Sequence, residues 1–150
     1  MEFTLHRTAV VEAPPDDVFG LITDVDHLPD WNAEIPRVLE SPAVLEVGTQ
    51  WLVEIHALGT HWNSRSQVVE LDRLRRRFAY RSVSDDGNPS FADWTWDVAD
   101  EPGGSRVTAE VHVNPRTFWR RHLLSTLRRP SLDRAVQRSL RTLPEQVVAR

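Results

Sequence analysis

Histidine and carboxylate side chains occur together at one predicted turn, in the segment HALGTH. His56 and His61 lie on either side of the turn, and Glu54 comes two residues before His56. Two imidazoles and a carboxylate are suitable ligands for zinc. Side chains at the tip of a hairpin are more often simply solvated, and solvation is enough to explain these three. We therefore predict no metal site.

A second polar cluster lies in the segment DVDHLPDWN. Asp24, Asp26, His27 and Asp30 could bind a cation or form an acid–base pair. Asp26 is also placed to be the N-cap of a short helix, where its carboxylate would accept a hydrogen bond from a free backbone N–H group. Acids beside helix ends need no further role, so we assign no catalytic residue here.

The residue types that are missing exclude several classes of chemistry. The chain has no lysine, which excludes Schiff-base catalysis and the P-loop lysine. It has no cysteine, which excludes thiolate nucleophiles, thiolate zinc sites and cysteine-ligated iron–sulfur clusters. Neither G-x-G-x-x-G nor G-x-S-x-G occurs. An enzyme with this sequence would use histidine, carboxylate, hydroxyl and arginine side chains, and we predict no cofactor.

The length of 150 residues fits one domain with one hydrophobic core, and we predict a single domain over residues 1–150. No apolar run approaches the ~20 residues that span a bilayer. The N-terminal MEFTLHRTAVVE has no signal-peptide pattern. Since the chain also has no cysteine to form a disulfide, we expect a cytoplasmic protein.

The hydrophobic pattern predicts an α+β domain in which two short helices follow the first strand. FTLHRTAVVEA alternates as a strand does, and APPDDVFGLITDV has helical spacing with Pro15 in its first turn. Trp31 lies on the second, very short helix. Six further extended segments, separated mostly by turns, are IPRVLE, TQWLVEIHAL, THWNSRSQVVEL, RRFAYRSV, SFADWTWDVAD and SRVTAEVHVNP. Short connections between them predict an antiparallel sheet.

Residues 116–150 have the pattern of one long amphipathic helix. Phe118 and Leu127 belong to its apolar face. Pro130 should kink or break the helix. His122 follows Phe118 by one turn, at the edge of the inward face. There it could exchange a proton with a ligand or lie at the rim of the core.

Alternation within the strands predicts which side chains face the long helix. Every second residue of 107–113 is apolar. Trp94 and Trp96 alternate in the same way on the strand before, and we assign Phe78 and Tyr80 to the same face of the next strand.

The strand HWNSRSQVVEL has two partly polar faces, and its pattern alone leaves its orientation open. One face carries Trp62, Ser64 and Ser66, and the other carries Asn63, Arg65 and Gln67. The adjacent Val68 and Val69 indicate a β-bulge or the end of the strand.

Charge is unevenly distributed along the chain. Residues 116–150 carry nine arginines and two acids, so that this segment has a charge of +7 and the rest of the chain −11. A basic helix could dock on an anionic membrane, but a solvated helix face also explains the arginines and is favoured. Nucleic-acid recognition would need a basic domain or a reading motif, and we predict no nucleic-acid partner.

The order of elements and two sequence stretches resemble the START-like (SRPBCC) superfamily, in particular its polyketide cyclase/dehydrase and lipid-transport branch. The stretches are VEAPPDDVFGLITDVDHLPDWN and DWTWDVADEPGGSRVTAEVHV, followed by the final amphipathic helix. The resemblance implies a helix-grip fold, in which a seven-stranded antiparallel sheet curves around a long C-terminal helix and an apolar cavity lies between them. Similar cyclases carry a tryptophan and a serine at like spacing on one strand, which favours Trp62, Ser64 and Ser66 inward. They also use a buried arginine, whereas Arg65 would then face outward.

We therefore predict a domain that binds a hydrophobic small molecule, which would be polyketide-like, aromatic or a lipid. Six tryptophans in a short chain suit the wall of such a cavity. Trp31 could lie at the cavity entrance or pack beneath the helix. The predicted ligand-binding residues are Trp31, Trp62, Ser64, Ser66, Phe78, Tyr80, Trp94, Trp96, Phe118 and His122.

Two alternatives stay open. In a polyketide cyclase or dehydratase, Ser64, Ser66 or Tyr80 would orient carbonyl groups, and His122 or a bound water would transfer protons. A lipid carrier would instead dock on membranes through its basic helix. The sequence alone sets neither the ligand nor the oligomeric state.

Overall fold

The structure, a computed structural model, describes residues 2–116 and 125–149. Strands and helices in these ranges follow the predicted order, with a 3₁₀ turn between the first two helices. The elements are β1 Phe3–Val11, α1 Pro15–Ile22, the 3₁₀ turn Val25–His27, α2 Leu28–Trp31, β2 Arg37–Glu40, β3 Gln50–Ala57, β4 Thr60–Asp72, β5 Arg77–Ser84, β6 Phe91–Glu101, β7 Gly104–Asn114 and α3 Ser125–Ala149.

The seven strands form one antiparallel sheet in the order β1-β7-β6-β5-β4-β3-β2. Strands β2 to β7 pair with their neighbours along the chain, and β1 pairs with β7. The long helix α3 covers one face of this sheet. The predicted α+β helix-grip architecture is therefore confirmed.

Strand register brings the predicted apolar positions together on the covered face. Trp94 lies opposite Val111, and Trp96 lies opposite Ala109. Val107 and Val111 are almost completely buried. These side chains join residues of α1 and α3 in one hydrophobic core, because the pleat directs alternate side chains to the same face of a sheet.

The double valine on β4 marks a bulge, as its sequence suggests. The β4–β5 register shifts between Val68 and Glu70. Val68 is consequently buried, whereas Val69 faces solvent. The extra residue shifts the alternation of side chains by one position, so that beyond the bulge Leu71 packs against the core.

The short helices differ from expectation at their caps. Asp26 is not an N-cap but lies inside the 3₁₀ turn, which Asp24 precedes. His27 precedes α2, and neither Asp24 nor His27 caps its helix with a side-chain hydrogen bond. The turn begins at Val25 because this side chain is buried in the core.

Helix α3 continues through both of its prolines, so Pro130 does not break it, while the alternative outcome, a kink, stays a prediction. A proline removes one backbone hydrogen bond from a helix. Here Leu132, Val136 and Leu140 are buried against the sheet beyond it, and this packing holds the helix in place. Arg116, at which the sequence pattern begins the helix, is not helical, and residues 117–124 lie outside the described ranges.

Candidate ligand-binding cavity

A cavity of about 410 Å³ lies between α3 and the sheet. Its wall is built from β3 to β7, the segment around α2 and one face of α3. From α3, Leu132, Ala135 and Val136 close the side opposite the sheet. The volume falls within the range of small-molecule sites, which are concave and mostly apolar with a few polar groups.

Aromatic side chains from β3, β5 and β6 form one side of the cavity. The rings of Trp94 and Trp96 are parallel to within 3° with centroids 6.0 Å apart. Tyr80 lies 6.3 Å from Trp94 at an interplanar angle of 19°. Trp51 meets Tyr80 edge-on at 4.8 Å. We call these four residues, all of which line the cavity, the aromatic wall.

Trp51 is the member of the aromatic wall that the sequence interpretation missed. Trp51, Val53 and Ile55 alternate along β3, and all three line the cavity. Alternation of apolar residues in the segment TQWLVEIHAL could therefore have placed Trp51 on the covered face.

The Tyr80 hydroxyl is a buried hydrogen-bonding group within the wall. Trp96 donates its indole N–H to the Tyr80 oxygen at 3.2 Å. Burial raises the pKa of Tyr80 well above its ordinary value, and the bond from Trp96 opposes this only partly. The phenol consequently stays protonated and keeps an O–H group that could donate to a ligand.

Strand β4 presents its serine face to the cavity. Trp62, Ser64 and Ser66 line it. Arg65 faces the other way, where its guanidinium donates to Asp85 at 3.1 Å and to Glu40 at 2.9 Å. The outward ion pairs explain why this arginine does not enter the cavity.

Two serines of β5 complete a polar patch beside those of β4. Ser84 lies opposite Ser64 and Ser82 opposite Ser66 in the strand register. The hydroxyl oxygens of Ser66 and Ser82 are 2.6 Å apart. All four line the cavity and are called the serine patch below.

A buried ion pair borders the cavity on the side of α3. Arg128 donates to both carboxylate oxygens of Glu34, at 2.5 and 2.7 Å. Its guanidinium also lies 5.6 Å from the centroid of Trp62. The sequence interpretation counted Arg128 among the solvated arginines of the helix, because no local pattern links it to Glu34.

Trp31 and Phe78 are buried behind the cavity wall. Trp31 packs edge-on against Trp96, with ring centroids 5.3 Å apart. Phe78 stacks on Trp51 at 5.9 Å. Neither residue lines the cavity; each instead packs against a tryptophan that does. Phe118 and His122, the other two predicted site residues, fall outside the described part of the chain.

The polar clusters considered from the sequence lie apart from the aromatic wall. His56 and His61 have ring centroids 5.6 Å apart, and Glu54 pairs with Arg37 at 3.0 Å. His27 and Asp24 pair with each other. Within residues 2–116 and 125–149, no three histidine or carboxylate side chains form a group that could hold a metal ion. No described helix combines the length and apolarity needed to span a bilayer.

Comparisons with known proteins agree with this geometry. The sequence profile of the family described as polyketide cyclase/dehydrase and lipid transport matches residues 2–148. The solved structure of the Zhui aromatase/cyclase from Streptomyces sp. R1128 has a similar fold, with 18% identity, coverage of 98% of this chain and 94% of that chain, and a TM-score of 0.77. The ginseng major latex-like protein 151 from Panax ginseng is 14% identical, with coverage of 97% of each chain and a TM-score of 0.73. Protein CV1439 from Chromobacterium violaceum is 24% identical, with coverage of 96% of each chain and a TM-score of 0.71. A comparison with curated proteins gives no significant match.

Proposed function

The chain belongs to the polyketide cyclase/dehydrase and lipid transport family, and on this premise we propose that it binds a hydrophobic, ring-containing small molecule between the sheet and α3. The aromatic wall is the observation that carries the proposal. Trp94 and Tyr80 present flat rings to the cavity, and the almost fully buried Trp96 holds them in place, so the wall has little conformational freedom to lose. The apolar side chains of α3 face it across the cavity.

The family and the fold support ligand binding without naming the ligand. The aromatase/cyclase and latex-like structures share the fold at low sequence identity. The cavity of this chain supplies the further argument, since burial of an apolar ligand in a preformed pocket removes its surface from water at little entropic cost.

Native mass spectrometry of the purified protein tests the proposal directly. We expect a co-purifying small molecule, or after its extraction, binding of the tricyclic 9-fluorenone detected by quenching of tryptophan fluorescence. A ligand-free protein that binds neither 9-fluorenone nor the parent hydrocarbon fluorene would contradict the proposal.

A second candidate function is cyclisation and dehydration of a polyketide-like ligand. The hydroxyl groups of Tyr80, Ser64 and Ser66 favour it, because they line the cavity and could polarise ligand carbonyl groups. Incubation with a linear poly-β-ketone should then give a cyclic product lighter by one water, and Tyr80→Phe should slow this reaction while ligand binding persists. A pure binding protein would leave the compound unchanged.

A further inference from the structure

The serine patch contains hydrogen-bonding capacity that the protein itself does not use. The Ser84 hydroxyl oxygen is buried and has no hydrogen-bond partner among residues 2–116 and 125–149. Ser66 and Ser82 share one hydrogen bond, which uses one of their two hydroxyl protons. Buried hydroxyls without partners are unfavourable. Serine side chains can turn between staggered rotamers, so an acceptor placed at the patch can recruit them.

The ion pair beside the patch leaves the cavity with no uncompensated arginine. Arg128 is the single arginine among the described lining residues, and both oxygens of Glu34 hold it. The two side chains are 19% and 10% exposed, so the pair is largely removed from water. Arg128 also covers Trp62, which shares a strand face with Ser64. The neutralised guanidinium and the serine patch therefore line the same cavity.

We propose that the cavity selects an uncharged ligand with a carbonyl or hydroxyl oxygen, bound at the serine patch, and rejects ligands that carry a carboxylate. The inference rests on the proposed function and adds the chemical class of the ligand. Ser84 and Ser64 donate to the oxygen, while the rings of the ligand lie against the aromatic wall. Tyr80, which belongs to that wall and lies next to the patch on β5, holds the two regions side by side.

Among the described residues of the cavity, a carboxylate has no adequate partner. It would lose its hydration on entering, and a buried charge without a counter-ion is strongly unfavourable. Arg128 has further N–H groups, but Glu34 already neutralises its charge, so a second carboxylate bound there would leave one negative charge buried and uncompensated. His61 also lines the cavity but is exposed to solvent. Serine hydroxyls, by contrast, are sufficient for a neutral oxygen.

Three probes with the same ring system separate these possibilities. Fluorene has a methylene group where 9-fluorenone has a carbonyl, and 9-fluorenone-2-carboxylate adds a charge. Affinities can be measured for all three by quenching of tryptophan fluorescence. For the unmodified chain we expect 9-fluorenone to bind at least as tightly as the more hydrophobic fluorene. The carboxylate should bind about tenfold more weakly than 9-fluorenone or worse.

The double variant Ser64→Ala/Ser84→Ala tests the oxygen subsite. It should weaken the binding of 9-fluorenone about threefold or more, and leave the affinity for fluorene unchanged or slightly higher. An equal loss for both probes would indicate a general disturbance of the cavity and would overturn the assignment of the serine patch.

Glu34→Gln tests the rejection of carboxylates. Glutamine keeps the size of the side chain and one oxygen acceptor but leaves the charge of Arg128 uncompensated. The variant should bind 9-fluorenone-2-carboxylate about tenfold more tightly than the unmodified chain does.

Asp93→Asn is the matched control, because it releases Arg81 from an equivalent bidentate pair on the outer face of the sheet. This control should change no affinity.

The outcomes distinguish this inference from the function on which it rests. If neither fluorene nor 9-fluorenone binds, the proposed function is wrong. If both bind but the serine variant keeps their affinity ratio, or the carboxylate binds Glu34→Gln as weakly as before, the selectivity is wrong while ligand binding stands. The serine variant removes no buried charge, so it decides the question even if Glu34→Gln fails to fold.

Discussion

Trp94 and Trp96 are neighbours on one strand face, yet their environments differ. Trp96 is only 1% exposed, packs perpendicular to Trp31 and donates its indole N–H to Tyr80. Trp94 is partly exposed and borders the cavity. The same residue type therefore has two roles, one mainly in the core and one mainly at the cavity surface.

Alanine substitutions should separate these roles. Trp96→Ala should lower the free energy of unfolding by about 3–5 kcal/mol, as loss of a fully buried aromatic side chain does. Trp94→Ala should cost about 1–2 kcal/mol, because one side of its ring already meets empty space, but should weaken 9-fluorenone binding more. Urea denaturation and fluorescence titration measure the two effects. Equal losses of stability would show that Trp94 is an ordinary core residue.

Among the elements, strands were easier to predict from sequence than the parts that cover them. Alternation placed Trp94, Trp96 and Tyr80 on the covered face, because the pleat repeats every two residues whatever lies opposite. The Glu34–Arg128 pair joins residues far apart in sequence, and no local period encodes such a contact. Asp26 was wrong for a related reason, since burial of Val25 outweighed the preference of aspartate for an N-cap.

The β3–β4 hairpin contains a residue in an unfavourable backbone conformation. Leu58 and Gly59 connect the strands with φ angles of 54° and 70°. Positive φ at both positions is the pattern of a type I′ turn, for which Asn-Gly is strongly preferred. A leucine in the left-handed region costs about 1–2 kcal/mol relative to ordinary conformations. The hairpin therefore forms although its first turn residue opposes it.

Replacing Leu58 by asparagine should stabilise the protein by about 0.5–1 kcal/mol, since asparagine tolerates positive φ. Leu58 lines the cavity and is 40% exposed, so the loss of its buried surface offsets part of the relieved strain, and the net gain is smaller than the strain itself. Thermal unfolding measures the change. Leu74→Asn is the matched control, because Leu74 also lies between two strands and is 91% exposed but has no positive φ. A similar gain in both variants would mean that backbone strain is not the cause.

At the scale of the whole molecule, polar contacts attach α3 to strand β1 and to the segment between α2 and β2. Arg7 on β1 holds Asp133 with two hydrogen bonds of 2.7 and 2.6 Å. Ser139 accepts a hydrogen bond from the backbone N–H of Ala33 at 2.9 Å. Together with the Glu34–Arg128 pair, these contacts fix the helix over the cavity. The cavity thus depends on long-range contacts that the amphipathic pattern of the helix does not specify.

The contact between β1 and α3 should make stability depend on pH in the acid range. The hydrogen bonds from Arg7, and secondarily its charge, lower the pKa of Asp133, with smaller contributions from Gln137 and Arg129. A carboxyl whose pKa is lowered on folding stabilises the folded state fully above its unfolded pKa of about 3.9. The contribution is lost as the pH falls through the lower, folded-state value.

Asp133→Asn should therefore lower the melting temperature by about 2 °C near pH 7, a small effect because the pair is partly exposed. The difference from the unmodified chain should shrink below about pH 4. Glu101→Gln provides the comparison, since Arg106 lowers the pKa of Glu101 within a single hairpin and holds no helix in place. If ligand binding weakens in Asp133→Asn but not in Glu101→Gln, the attachment of α3 to β1 shapes the cavity; equal binding in both would limit the Arg7–Asp133 pair to a role in stability.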